Sequence, residues 1–139
     1  MRTFFDTSFL IALSDEKDKN HMKAKTSLRE LVGKGARFVV ARNILNEYLD
    51  GVTKRISKEK AIEELDNILN SKLLVIEPVT EKEWDKAIIY FRKYNDQQID
   101  LTDCLSFAIM ERLEMKSVLT FDNDFTIHGF ELYFQKVNL

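Results

Sequence analysis

Four acidic residues, Asp6, Glu47, Asp103 and Asp122, fall on four separate segments of the chain. Three of them sit inside apolar surroundings: Asp6 between Phe4-Phe5 and Phe9-Leu10, Asp103 between Leu101 and Leu105, and Asp122 after Leu119 and Phe121. Charges embedded in apolar stretches are seldom left unpaired in a core. Carboxylates packed together repel and push one another toward protonation, and a divalent cation removes that cost. Hard oxygen donors of this kind suit Mg2+, with Mn2+ as the alternative. Each acid also has an ordinary reading. Asp6 could cap a helix that begins after Thr7. Asp100 could cap another, with Asp103 completing a capping box. Asp122 and Asp124 could be turn residues in Asp122-Asn123-Asp124, and Glu47 a solvated helix acid. What separates the two readings is whether the acids meet, and that depends on the elements that carry them.

Thr3-Phe4-Phe5 reads as a first strand ending at Asp6, with Thr7 and Ser8 opening a helix through Leu13. Residues 15–20 are charged and read as a loop. Ala24, Leu28 and Leu31 recur at helical spacing between His21 and Leu31, and Gly33 and Gly35 end that helix. Residues 37–41 form a second strand, followed by helical spacing of Ile44, Leu45, Tyr48, Leu49 and Val52. Ser57 caps a further helix whose buried stripe is Ala61, Ile62, Leu65, Ile68 and Leu69. Residues 72–76 form a third strand closed by Pro78. Thr80 and Glu83 make a capping-box pair for a helix carrying Trp84, Ala87, Ile88 and Phe91 inward. The helix opened by Asp100 and Asp103 packs through Leu101, Leu105, Ala108, Ile109 and Leu113. Residues 117–121 form a fourth strand and 132–134 a fifth at an edge.

Strands separated by helices need crossover connections. The expected fold is therefore α/β, a central, mostly parallel sheet of about five strands flanked by helices on both faces. Ligand sites in such sheets lie beyond the carboxyl ends of the strands. Asp6 and Asp122 follow strands directly, Asp103 sits in the first turn of a helix, and Glu47 about two turns into another. All four can reach one end of the sheet.

The rest of the composition sets bounds. The chain's 139 residues fit a single domain, residues 1–139, with no linker, repeat or low-complexity stretch. A hydrophobic fraction of 45% is enough for a core without disulfides or structural zinc. The lone Cys104 allows no intrachain disulfide and reads as a small buried hydrophobe. No segment is long and apolar enough to span a membrane, and the opening residues lack the apolar run of a signal peptide. The expectation is a cytoplasmic protein with no membrane association. A net charge of −2 does not announce a nucleic-acid binder, although acids concentrated in a pocket can mask a basic rim. Arg42, Lys54, Arg55, Lys17 and Lys19 come from segments that could form such a rim. The two histidines, His21 and His128, lie outside the acidic motifs and read as surface residues.

Phe5-Asp6-Thr7-Ser8-Phe9-Leu10, Asn46-Glu47, Leu101-Thr102-Asp103-Cys104-Leu105-Ser106-Phe107-Ala108 and Leu119-Thr120-Phe121-Asp122-Asn123-Asp124-Phe125 together resemble the PIN-domain nucleases, and within them the VapC-type toxins of prokaryotic toxin–antitoxin pairs and their orphan relatives. The resemblance runs from the first residues to about Phe130. It implies a PIN-like three-layer fold and a catalytic set of Asp6, Glu47, Asp103 and Asp122, with Asp6 and Asp103 as the firmest metal ligands. Asp124, Asp100, Thr7 and Ser8 are secondary candidates. Asp124 ranks below Asp122 because the family acid usually follows the strand directly, and Asp100 stands where many relatives have Ser. The implied reaction is Mg2+-dependent hydrolysis of RNA phosphodiesters. The implied partners are an RNA substrate, a protein antitoxin and a second copy of the chain; the apolar residues in the helices spanning 44–69 read either as the contact with that copy or as core. A catalytically inactive scaffold and a DNA-directed nuclease are the competing readings.

Overall fold

A computed structural model describes residues 1–134, so the last five residues of the expected unit lie outside the described residues. The first strand, β1 (Arg2–Phe5), is followed by α1 (Thr7–Ser14) and α2 (His21–Gly33). Then come β2 (Arg37–Ala41), α3 (Arg42–Arg55), α4 (Lys58–Asn70), β3 (Leu74–Glu77) and α5 (Glu81–Lys93). The chain continues through α6 (Leu101–Arg112), β4 (Ser117–Leu119), α7 (Asp124–Ile127) and β5 (Glu131–Leu132). The strand order is β3-β2-β1-β4-β5, and every pair is parallel. The expected sheet is therefore present, with β5 at one edge and β3 at the other.

The central strands are near-continuous apolar runs because both faces are covered. Phe4, Phe5, Val39, Val40, Val118 and Leu119 are all buried, whereas Val75 on the edge strand β3 is exposed. From β1 the chain builds outward to β2 and β3, then returns to lay β4 and β5 on the other side of β1. The reversal makes the junction of β1 and β4 the switch point where parallel sheets open a crevice.

Helix α6 is apolar all round, and every residue from Asp103 to Met110 is buried. The expected one-sided stripe understates it: α6 is covered on several sides, with α5, α3 and α7 among its neighbours. Asn43 in the first turn of α3 ties the two helices together, its Nδ2 donating to Thr102 O at 3.1 Å and to Ser106 Oγ at 3.4 Å.

Several expectations are corrected. Trp84 and Phe91 face outward, 44% and 48% exposed, while Ala87 is buried as expected and Glu83 joins it on the packed face of α5. The reason is electrostatic. Glu83 makes no capping box with Thr80; its Oε1 accepts from Arg112 Nε of α6, while Arg112 Nη2 reaches Glu77 Oε2 at 3.2 Å. Drawing Glu83 inward turns Trp84 out. On α4, Ala61 is buried but Ile62 and Leu69 are 49% and 60% exposed, because only one side of that helix rests on the core. β4 stops at Leu119 rather than 121, since Thr120 turns its side chain toward β1. The neighbouring strands begin and end within two residues of expectation.

The histidines are not free surface residues. His21 Nδ1 lies 2.7 Å from Ala12 O. His128 stacks on Phe107 with ring centroids 4.5 Å apart and is held by Tyr94 Oη at 2.5 Å and Glu111 Oε1 at 2.8 Å. An imidazole can be covered when both nitrogens find partners.

The Glu83–Arg112 pair carries a stability prediction. Glu83 is 2% exposed, and its Oε2 has no partner. Removing the cation strands a buried carboxylate, so Arg112→Met lowers the unfolding free energy in urea by about 2–3 kcal/mol, a figure discounted for the partly solvated arginine. The double variant Arg112→Met/Glu83→Leu recovers most of that loss. An Arg112→Met protein as stable as the parent contradicts the account.

Candidate active site

At the end of β1 the backbone N–H of Asp6 donates to Leu119 O of β4 at 3.0 Å, extending the ladder by one step. The Asp6 carboxylate is 4% exposed and makes no cap bond to α1. Its Oδ2 instead accepts from Thr120 Oγ1 at 2.6 Å and Ser8 Oγ at 3.1 Å. Those hydroxyls are themselves held: Ser8 Oγ accepts from the Phe121 N–H at 2.9 Å, Thr120 Oγ1 from the Asp122 N–H at 3.0 Å, and the two lie 3.0 Å apart. The ends of β1 and β4 are thus laced together around one carboxylate.

Beyond this junction lies a cleft of about 290 Å³. Asp6, Glu47, Asp103 and Asp122 all line it, with Asp100, Thr7 and Ser8. The four acids named from sequence are brought to one place. Glu47 remains exposed on α3, one turn past the Asn43 that docks this helix on α6. A larger hollow of about 380 Å³ between Phe5, Leu10, Leu13, Leu28 and Phe38 is mainly apolar and holds none of these acids.

The secondary candidates divide. Asp100 does cap α6, its Oδ1 accepting from the Asp103 N–H at 2.8 Å, and it also lines the cleft. Ser8 holds Asp6, as above. Thr7 Oγ1 is buried without a partner. Asp124 opens α7, where its N–H donates to Asp122 Oδ1 at 3.0 Å. Because β4 ends at Leu119, Asp122 lies three residues past the strand rather than directly after it, which brings Asp124 into play. One oxygen each from Asp103, Asp122 and Asp124 lie within 4.8 Å of one another. Asp6 lines the same cleft outside that group.

Sequence reading passed over Thr120, Asp18 and Asn20, which hold or line the site. The available signal was a hydroxyl at the end of the fourth strand, two residues before an acid. Asp18 has a local task as well, accepting from the Asn20 N–H at 2.8 Å. Of the proposed basic rim only Arg55 lines the cleft, and Lys17 lies in an adjoining hollow; Arg42, Lys54 and Lys19 line neither.

The electrostatics follow from crowding. Burial, opposed in part by the Thr120 hydroxyl, lifts the Asp6 carboxyl to about 6. Burial first, then the charges of Asp100, Asp6 and Asp122, hold Asp103 well above the usual carboxylate range. Asp124 is raised too, by burial and then by Asp122. The donor set fits a hard divalent ion: three carboxylate oxygens within reach of one centre, acids that repel without a cation, and an orphaned hydroxyl at the wall. Cys104 beside them is buried, and burial followed by the Asp103 charge pushes its thiol up to about 11, which leaves it inert.

Comparison with known proteins places this arrangement. The family model described as PIN domain matches residues 3–131. The 23S rRNA-specific endonuclease VapC20 of Mycobacterium tuberculosis is 27% identical over 127 residues, which span 91% of this chain and 94% of that protein. The crystal structure of M. tuberculosis VapC20, described as a sarcin–ricin loop cleaving toxin, superposes with a TM-score of 0.83 at 26% identity, over 93% of this chain and 96% of that one. The VapBC2 structure from Rickettsia felis, bound to a DNA fragment from its promoter, shares the fold at a TM-score of 0.70 and 18% identity, over 95% of this chain and 97% of that one.

The crowded acids set a pH dependence. An aspartate with an ordinary value of 3.8 that rises to about 6 on folding keeps a proton that the unfolded chain has released. Its contribution to stability is therefore lost as pH rises through that window. In EDTA the protein is expected to melt higher at pH 5 than at pH 7.5. Asp103→Asn, which removes a charge and keeps the shape, is expected to raise the melting temperature at pH 7.5 by at least about 2–4 °C. A lower melting temperature for that variant would mean the acids are not in conflict.

Proposed function

The chain belongs to the PIN-domain family, and from that premise we propose that it is a Mg2+-dependent endoribonuclease acting as the toxin of a type II toxin–antitoxin pair in the cytoplasm. The observation that carries this reading is the gathering of Asp6, Glu47, Asp103 and Asp122, with Asp124, around one cleft at the β1–β4 switch point.

A divalent ion in the cleft supplies charge neutralisation and Lewis-acid activation of water and phosphodiester. Asp103, Asp122 and Asp124 offer the closest oxygens for it. Asp6, fixed by Ser8 and Thr120 at the same cleft, would help hold the ion directly or through water. In the reaction a water oxygen bonds to phosphorus, one P–O ester bond breaks, and the leaving oxygen takes up a proton. Glu47, exposed at the cleft wall, is placed to orient the water and accept its proton. Mn2+ meets the same donor set.

The substrate class is RNA. The name of the M. tuberculosis relative makes a 23S rRNA stem-loop the first probe. An inactive scaffold is disfavoured, because a chain released from catalysis would gain stability by losing these acids. A DNA-directed nuclease would need a surface that clamps duplex, and the described residues show the compact five-stranded fold with its flanking helices and no such clamp. With the stem-loop RNA, cleavage is expected in Mg2+ and not in EDTA. Asp6→Asn and Asp103→Ala are each expected to lower it by more than about 100-fold, the upper end of the loss seen when only a supporting contact to a metal ligand is removed. Cleavage that survives both EDTA and the substitutions rejects the mechanism, and preferential cleavage of DNA in a paired assay moves the substrate class.

The partners proposed are an antitoxin from an adjoining reading frame and a second copy of this chain. A similar structure from Klebsiella pneumoniae is itself described as a toxin–antitoxin complex. Exposed Ile62 and Leu69 on α4, and Trp84 and Phe91 on α5, offer the apolar area that association requires. Expression is expected to arrest growth, Asp103→Ala to relieve the arrest, and co-expression of the adjoining frame to do the same. Light scattering of the purified protein is expected to give twice the chain mass, and half that value for Trp84→Glu/Phe91→Glu. A toxic Asp103→Ala variant, or a monomeric parent, removes the corresponding claim.

A further inference from the structure

Arg55 is the last residue of α3, two turns beyond Glu47 and about 12 Å from it along the helix axis. Among the described residues it is the one cation in the wall of the acidic cleft. It is also a wall of a second hollow of about 390 Å³, which Ser14, Asp15, Glu16, Lys17, Ile56 and Lys60 complete. The two spaces therefore share Arg55 at their junction.

Some other cations have assigned tasks, whereas others, Arg42 and Lys54 among them, have no ion-pair or hydrogen-bond partner among the described residues. Arg112 is engaged by Glu83 and Glu77, Lys86 by Glu111, Lys60 by Glu63 and Glu64, and Arg2 by Leu113 O. Among the described residues, Arg55 has neither an ion-pair nor a hydrogen-bond partner, although it borders a cleft lined by Asp6, Asp18, Glu47, Asp100, Asp103 and Asp122. A basic residue in the last turn of a helix is also favoured by the helix dipole. That accounts equally for Lys54, which lines neither space. It does not account for a guanidinium set at the mouth of an acidic cleft.

A polyanion entering this cleft meets a difficulty. Its scissile phosphate is drawn to the cation-holding acids, but the adjoining phosphates face uncompensated carboxylates. A guanidinium binds phosphate oxygens in bidentate fashion and keeps its charge at any working pH. Past Arg55 the adjoining hollow offers Lys17, with Asp15 turned to local use, its Oδ1 accepting from the Lys17 N–H at 3.0 Å. In that hollow Asp15 and Glu16 stand with Arg55, Lys17 and Lys60, so a strand passing Arg55 moves from a wall of acids to one where cations balance them.

We propose that Arg55 is a positioning residue that clamps an RNA phosphate next to the scissile one and leads the flanking strand into the hollow beside Lys17. This rests on the nuclease reading above for the identity of the scissile phosphate. The clamp would hold the strand in register, so that the cut falls at a set distance from the bound flank.

The test is binding of a fluorescein-labelled 23S stem-loop RNA to the full chain in an Asp103→Asn background, where cleavage does not interfere, with Arg55→Ala, Arg55→Lys and Lys54→Ala compared across salt concentrations. Arg55→Ala is expected to weaken binding about tenfold, as loss of one charge-assisted contact does. The slope of log affinity against log salt should shrink by about 0.7, one single-strand phosphate. Arg55→Lys should recover part of the affinity and all of the slope, and Lys54→Ala should change neither. In the parent background Arg55→Ala is expected to raise KM with kcat within about twofold, on the same contact argument. Equal losses for Arg55→Ala and Lys54→Ala, with equal slopes, overturn the clamp as mere surface charge. If the parent cleaves no RNA while the Arg55-specific binding loss persists, the nuclease reading fails and with it the register role, leaving Arg55 as a phosphate contact alone. If the parent cleaves and Arg55→Ala matches it in affinity and KM, the clamp fails and the nuclease reading stands.

Discussion

Carboxylates held a few ångströms apart in a poorly solvated cleft repel one another, and much of this fold serves to hold them there. Asp6 is fixed by two hydroxyls from different strands, Asp103 by its place in a helix buried along most of its length, and Asp124 by a short helix. Each of these supports is itself braced. The Ser8–Thr120 pair is anchored by backbone N–H groups of Phe121 and Asp122, so the hydroxyls are aimed rather than free to turn. A cleft of this kind is preorganised: the ordering of its ligands is completed by folding and need not be repeated when an ion or substrate arrives.

The short helix α7 has too few residues to be stable alone, and its docking shows how far the bracing extends. Phe125 is fully buried against the edge of Phe107, with ring centroids 5.1 Å apart. His128, at the C-cap of α7, bridges Tyr94 and Glu111 and stacks on the same Phe107. Glu111 also receives Tyr90 and Lys86 from α5. The aromatic and ionic contacts between α5, α6 and α7 thus reach the acidic cleft through Asp124, the first residue of α7. A histidine with no part in the chemistry helps set the position of one of the acids.

How much of this was legible in the sequence follows from which forces act locally. The strands were readable because central parallel strands are apolar on both faces. The acids were readable because Asp6 and Asp103 interrupt apolar runs where a charge has a cost. The partners of those acids were not. Thr120 and Ser8 are ordinary polar residues until β1 and β4 lie side by side, and that pairing joins residues more than a hundred positions apart. The placement of Asp124 beside Asp103 and Asp122 was not readable, because β4 ends two residues early, a boundary set by the Thr120 hydroxyl and not by its own apolar pattern. The rotation of α5 has the same origin. Its apolar residues suit a face centred on Trp84 or on Ala87, and the distant Arg112 decides by drawing Glu83 inward.

The charge total of −2 conceals a separation that matters for a polyanionic substrate. Acids collect at the carboxyl ends of β1 and β4, where a divalent ion would offset them. Arg112, Lys86 and Lys60 are bound up with Glu residues elsewhere, while among the described residues Arg55 at the cleft wall has no ion-pair partner. Screening weakens exposed charges beyond about 10 Å, so a phosphate near the cleft responds to these few groups and hardly to the total. A chain with excess acid can therefore bind a nucleic acid without a basic face, provided its acids are already committed to a cation. On the proposed function, association would depend on divalent ions twice over: the ion would relieve the repulsion that folding concentrates, and by doing so open the cleft to an anion.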